Sequence, residues 1–263
     1  MCTIINRVRQ ILPGSGTRKC YAIIKDSLAQ RGIVIGRGKL HYILQVNNLL
    51  IPRRKRYFHT TDSNHPYRKY DNLAQHLEVT KPEQLWVSDI TYITTKEKPL
   101  YLSLVTDAFS KKIMGYHLAD HLKATGPIEA LKMAIKNRIY PKRKLMHHSD
   151  KGVQYCCNAY INLLKNHEIE ISMTSKYDPY ENAIAERING TLKNEFNLDQ
   201  GLPSYYYAQR ELNKTVMIYN QMRPHLSCKM LTPEIMHAKK PYPIKLNTKQ
   251  TWEKIIFHNF NQN

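Results

Sequence analysis

Three acidic residues stand where a folded chain does not ordinarily place a carboxylate. Asp89 falls in the middle of LWVSDITYI (85–93), a β-branched and aromatic run that reads as a strand, on the same side as Val87, Thr91 and Ile93. A lone carboxylate in a central strand is costly unless it is paired or binds a cation. Asp150 follows a second short strand, Lys144 to His148, where His147, His148 and Ser149 lead into Lys151-Gly152. The C-terminal ends of strands are a usual station for catalytic groups in α/β sheets.

The third acid, Glu186, belongs to a helix that opens at Asp178-Pro179, an N-cap followed by proline at the first helical position, with Glu181 completing a capping box. At about 100° per residue, Asn182, Glu186, Asn189 and Lys193 share one face, and Ile184, Ile188 and Leu192 share the other. One carboxylate, two amides and an ammonium are thus presented together. Taken alone, the pattern equally describes an ordinary amphipathic surface helix. Other candidates weigh less. Asp107 ends a strand and reads as a turn cap, and Asp120 reads as a surface charge. His147 and His148 are adjacent on a strand and so point to opposite faces.

The elements that must position these groups follow from periodicity. Leu85 to Ile93, Leu100 to Thr106 and Ile113 to Leu118 read as a three-stranded antiparallel meander. A helix through Ile128, Leu131 and Ile135, the 144–148 strand, a helix at Ala159 to Asn166, a strand at Ile169 to Met173 and helix from Pro179 to about Met222 complete a mixed α/β sheet flanked by helices. Upstream, residues 17–31 and Lys39 to Val46 read as two helices around a glycine-punctuated turn, compatible with a helix-turn-helix. Arg18, Lys19, Arg37 and Lys39 on those helices, and the run Arg53, Arg54, Lys55 and Arg56 after them, suit phosphate contacts. The expected division is a DNA-binding unit at 1–56, a polar linker at 57–83, a catalytic core at 84–240 and a tail at 241–263.

Composition narrows the class. The 263 residues carry 40 Lys+Arg against 21 Asp+Glu, a formal charge of +19 spread along the whole chain, which points to a polyanionic partner. The five cysteines, with no C-x-x-C pair, fit neither a disulfide framework nor a structural zinc site. With no spanning apolar stretch and no signal-peptide layout at the N-terminus, the expectation is a soluble, cytoplasmic protein that joins the nucleoid when bound to DNA.

Thirty-five residues separate Asp150 from Glu186, and acids on strand, strand end and helix match the D, D(35)E arrangement of retroviral integrases and many transposases. GTRKCY, IGRGKLHYIL, NLLIPRRKR, QLWVSDITYI, YLSLVTDAFSKKIMGYHL, HHSDKGVQY, DPYENAIAERINGTLKNEF and YNQMRPH, in this order, resemble the catalytic second-reading-frame protein of insertion sequence three family transposases. The resemblance implies a ribonuclease H-like integrase core, with a mixed five-stranded sheet flanked by helices, preceded by a small helix-turn-helix-like domain. It implies Asp89, Asp150 and Glu186 as catalytic, metal-binding acids, Lys193 as the basic residue after the triad glutamate, gripping DNA phosphate, and Asn182 in support. Hard carboxylate oxygens suit Mg²⁺ or Mn²⁺, two ions per site. The implied reaction is cleavage at element ends and transfer of the released 3′-hydroxyl to another strand, through a circular intermediate. Implied partners are the element's terminal repeats, target DNA, further copies of the chain on DNA, and a first-reading-frame protein joined by programmed frameshift. The chain begins about sixteen residues before GTRKCY, which leaves little room for further structure there. Two competing expectations are a DNA-binding accessory or regulatory protein of the element, and a nuclease of the same fold that hydrolyses without joining.

Overall fold

A computed structural model describes residues 1–52, 65–175, 182–238 and Trp252. The centre is a five-stranded mixed sheet in the order β3-β2-β1-β4-β5. β1 (Leu85–Ile93), β2 (Leu100–Asp107) and β3 (Ile113–Ala119) form the expected antiparallel meander, and β4 (Leu145–Ser149) and β5 (Ile169–Met173) add in parallel beyond β1. β1, lying between β2 and β4, is buried along most of its length, which is why its sequence reads as a near-continuous apolar run.

Alternation along β1 sends its side chains to two separate cores. Trp86 joins Leu131 and Ala134 of α4 (Thr125–Lys136), Tyr155 of the short α5 (Val153–Cys156), and Tyr160 and Leu164 of α6 (Asn158–Asn166) on one face. Ile93 joins Ile188 and Leu192 of α7 (Ala183–Glu195) and Leu212, Val216 and Tyr219 of α8 (Tyr205–Gln221) on the other. α4 sits so close to β3 that a Cβ at Gly115 would lie 2.0 Å from the Ala130 carbonyl oxygen. Only glycine fits there.

The stretch expected to be helical from Pro179 to about Met222 divides into α7 and α8. The chain turns between them through Asn197 and Gly201, both at positive φ, and α8 restarts at Ser204, whose Oγ accepts from the Tyr207 amide. Residues 178 and 179, the expected helix start, lie outside the described residues; the assigned helix begins at Ala183 with Asn182 as N-cap.

The N-terminal unit holds one helix more than the sequence reading placed there. α1 (Cys2–Ile11) buries Ile4, Ile5 and Val8 against Cys20, Ile24 and Leu28 of α2 (Thr17–Ala29) and Leu40 and Leu44 of α3 (Arg37–Val46). α2 stops as expected at Gly32, in the left-handed region, with the Ile33 amide closing back onto the Leu28 carbonyl. This core also takes in Ile218 of α8 and Trp252 from the segment expected to be a tail. The described part of the expected linker, 65–83, contains no helix or strand yet is tied to the core. The Leu73 and Ala74 amides donate to Ser172 Oγ, and Tyr70 and Leu77 pack against core clusters. A further short helix, α9 (Pro233–Ala238), ends the described core.

Candidate active site

β1 and β4 run parallel, with Trp86 opposite His147 and Val87 opposite His148. Continued two residues on, this register runs from Asp89 to Asp150, the residue just past the end of β4. Asp89 lies on the side of β1 covered by α7. Its Asn189 lies against β1, Nδ2 donating to Asp89 Oδ2 at 2.7 Å, and Asn182 Nδ2 donates to the Ser88 carbonyl at 3.0 Å. The helix is thereby fixed to the strand one residue before and at Asp89. Glu186, between the two asparagines, is exposed.

The charges of Asp150 and Glu186 are both felt at Asp89. Asp89 is pushed up to about 8, first by burial and then by the Asp150 carboxylate; the Ile90 amide and Asn189 pull against this, and the Glu186 carboxylate adds the smallest push. Such crowding is what a bound cation relieves. The donor chemistry fits a hard divalent ion: Asp89 bonds to Asn189, and Asn189 Oδ1 and Asn182 Oδ1 are buried acceptors that have no hydrogen-bond partner. Among the described residues no three His, Cys, Asp or Glu side chains are gathered tightly enough to make a ready-formed metal cage.

Behind the acids, on the opposite face of the sheet, His147 Nε2 is 2.7 Å from Ser88 Oγ and 2.9 Å from the Tyr160 hydroxyl. Burial, followed by the charge of His148, lowers the His147 pKa to about 3, so its ring is neutral, and both hydroxyls hydrogen-bond with the same ring nitrogen. His148 points the other way, its Nδ1 2.9 Å from Ser172 Oγ. The two histidines therefore brace β4 from both sides. The Ser88–His147–Tyr160 contact and the Asn189 bond were absent from the sequence-level site. Position 189, three residues beyond Glu186 on the same face, was the one available signal for the latter.

The expected DNA contacts fare differently. Arg18, Arg37 and Lys39 are exposed, and Lys39 stands over the Tyr42 ring at 5.6 Å. Lys19 is half-buried and paired: both Glu195 carboxylate oxygens lie 2.6 Å from its Nζ. Lys193 pairs with Asp199 at 3.5 Å and lies over the Tyr92 ring at 5.4 Å, so it is anchored beside β1 with its side chain 19% exposed. Arg53, Arg54, Lys55 and Arg56 lie outside the described residues. Asp107 does cap its turn, accepting from Ser110 N and Oγ, and the exposed Asp120 pairs with Lys98.

Two family models described as "Integrase core domain" match residues 79–179 and 167–233. A 31 kDa protein of insertion element IS600 from Shigella sonnei is 32% identical over 232 residues, covering 85% of this chain and 83% of that protein. Transposase InsF of insertion sequence IS3A from Escherichia coli K12 is 33% identical over 173 residues, covering 64% of this chain and 58% of that transposase, so the match spans less than two thirds of the relative. In fold, the chain is similar to a chain of the simian T-cell lymphotropic virus intasome in complex with PP2A regulatory subunit B56 gamma, with a TM-score of 0.52 and 19% identity, covering 83% of this chain and 72% of that one.

Proposed function

Because the chain belongs to the IS3 family of insertion-sequence transposases and carries their integrase-type core, we propose that it is the catalytic protein of such an element. It cuts DNA at the element's ends to release a 3′-hydroxyl and joins that hydroxyl to another strand. What supports this reading is Asp89 on β1 beside the end of β4, where Asp150 follows, with the charges of Asp150 and Glu186 both felt at Asp89. A DNA-binding accessory protein would need none of the three.

Asp89, Asp150 and Glu186 are the ligands, for Mg²⁺ or Mn²⁺ and two ions per site. When bound, such ions activate the attacking oxygen and stabilise the leaving one in a phosphoryl displacement. The chain's own groups do the positioning. Asn189 orients the Asp89 carboxylate, and Asn182 ties the start of α7 to β1. The Ser88–His147–Tyr160 contact holds β1, β4 and α6 in register behind the acids. No residue need shuttle a proton or form a covalent bond to DNA. Lys193, at the rim, meets a DNA phosphate by exchanging its pairing with Asp199.

DNA is the partner, as terminal repeats and as target. Arg18, Arg37 and Lys39 supply backbone contacts, joined by the 53–56 basic run. Residues 1–56 form the DNA-binding unit and 84–240 the catalytic core. Synapsis of two ends calls for more than one copy on DNA, and fusion to a first-reading-frame protein supplies further end recognition. Among the described residues no helix is long and apolar enough to cross a membrane, and the working compartment is the cytoplasm, on the nucleoid.

The test is strand cleavage and joining on labelled duplexes carrying candidate element ends, with Mg²⁺ or Mn²⁺, comparing the native chain with Glu186→Gln. Metal-dependent cut and joined products that vanish in the variant are expected. Products that persist in Glu186→Gln, or DNA that is bound and never cut, would refute the catalytic reading.

A further inference from the structure

The C-terminal end of α7 is gripped by the N-terminal unit. Glu195 lies nine residues beyond Glu186, about 13 Å along the helix axis at ~1.5 Å per residue. Both its carboxylate oxygens lie 2.6 Å from Lys19 Nζ on α2, and Arg223, just past α8, adds Nε and Nη2 at 3.0 and 2.9 Å. The Gly14 amide, in the turn between α1 and α2, donates to the Glu195 carbonyl oxygen at 2.8 Å. A Cβ at Gly14 would lie 2.5 Å from Glu195 Cα, so backbone meets backbone with no side chain between. The turn is itself built for this. Arg9 Nε and Cys20 Sγ both donate to the Ser15 carbonyl, fixing the residue after Gly14.

The site is largely dry: the Arg223 and Lys19 side chains are 5% and 18% exposed and that of Glu195 26%. Burial alone would raise the Glu195 pKa, but Arg223 and then Lys19 hold it below the usual carboxylate range. Buried ion pairs contribute little net stability compared with apolar packing of the same volume, while their directional bonds restrict geometry. Apolar packing across this junction is already present, through Ile218, Phe196 and Met222. The Lys19–Glu195–Arg223 triad therefore adds orientation to a contact that apolar surface already holds.

Resting on the transposase reading above, we infer that Glu195 is a positioning residue for the reaction. It locks the helix-turn-helix unit onto the helix that carries Glu186, so that the separation between DNA seated on α3 and the three acids is fixed, and with it the phosphodiester that is cut. The path is continuous: α3 packs on α2 through Leu40 and Leu44, α2 and the α1–α2 turn meet Glu195 through Lys19 and Gly14, and α7 runs from Glu195 back to Glu186.

The experiment uses the full chain on end-labelled duplexes bearing an element end, with products sized to the nucleotide, beside non-specific nicking of supercoiled plasmid in Mn²⁺. Glu195→Gln removes the shared anion, and Gly14→Val independently wedges the two backbones apart. Both are expected to spread the cut over neighbouring phosphodiesters and to lower cutting at the native position by about ten-fold or more, the scale of a small misplacement, while plasmid nicking is retained. Lys19→Arg, which keeps charge and donors, should keep the native cut position. An unchanged cut position, with end cleavage and plasmid nicking falling together, would overturn the inference, because a purely structural role predicts that. Amide hydrogen exchange at Gly14 decides the clasp without catalysis: faster exchange in Glu195→Gln supports it, and unchanged protection overturns it. A native chain that cuts no DNA would count against the catalytic reading, and the exchange result would still stand.

Discussion

Replacing Asp89 by asparagine removes a carboxylate that the fold itself opposes in the absence of a cation. The folded pKa of about 8 stands roughly four units above the ~4 of an unfolded aspartate, and each unit corresponds to about 1.36 kcal/mol. At pH 7 only the part of the shift below that pH counts, about three units, so the ceiling is about 4 kcal/mol. Partial solvent access reduces this to roughly 2–3 kcal/mol. The sign follows from linkage. A raised carboxyl pKa costs nothing below about pH 4, where both states are protonated; the cost grows up to about pH 8 and is constant above. Asparagine keeps the shape and can still accept from Asn189. In EDTA at pH 7, Asp89→Asn should therefore melt roughly 5–10 °C above the native chain, at ~2–4 °C per kcal/mol for a protein of this size. The gap should close towards pH 4. Mg²⁺ or Mn²⁺ should raise the native melting temperature by binding only the folded state, and leave the variant where it was. Thermal melts by circular dichroism over pH 4–9, with and without metal, read all of this. An asparagine variant that melts below the native chain in EDTA, or that responds to metal as the native chain does, would refute the placement of the three charges.

Two further outcomes follow from the packing. His237 on α9 is buried between Glu83 (Nε2 to Oε1, 3.4 Å) and Asp107 (Nδ1 to Oδ1, 3.6 Å), with Ser110 Oγ at 2.9 Å. Burial would lower its pKa, but Asp107 and Glu83 outweigh burial and raise it above the usual value. The stability it contributes is thus complete below about pH 6.5 and lost as pH rises through the raised value. Melting temperature should fall from pH 6 to 9, and His237→Gln should be less stable at pH 6 with that slope flattened; an equally steep slope in the variant would refute the assignment. At Gly115, even alanine must displace the Ala130 carbonyl or the Ala134 amide, 2.0 and 2.7 Å from the new Cβ. Gly115→Ala should cost at least the ~1–3 kcal/mol usual for overpacking, measured by urea denaturation, and a neutral result would mean that α4 moves freely on β3.

The sheet was legible because its strands carry period-two patterning bounded by turn residues. β1 and β5 match their expected limits, and β2 and β3 extend one residue beyond theirs. α1 was missed although Ile4, Ile5, Val8 and Leu12 have helical spacing, because Arg7 and Arg9 interrupt the apolar run and the segment is short. In the structure those arginines leave the apolar face intact. The break between α7 and α8 was also missed, though Asp199, Gly201, Pro203 and Ser204 are turn and cap residues. Asp89 could be picked out by its incongruity in an apolar strand, whereas Asp150 and Glu186 were picked out by their spacing and by the resemblance. What patterning could not show is partnership across the fold. Lys19 and Glu195 are 176 residues apart, and nothing near Lys19 in sequence distinguishes a clasped lysine from one that faces solvent.

The placement of Asp89 and Asp150 has a consequence for when the chain becomes active. Asp89 sits on β1 and Asp150 just past β4, strands that pair in parallel, and the segment between them contains β2, β3 and α4, so they are brought near each other only after that whole stretch has folded and closed. Such non-local parallel pairing forms late, because loop-closure entropy must be overcome before it yields any contact. Glu186 arrives from a helix beyond both. On the reading proposed above, a chain that ends before α7 lacks the third acid and also the Glu195 and Ile218 contacts that complete the N-terminal core, so the site is assembled only once the chain has folded through α8.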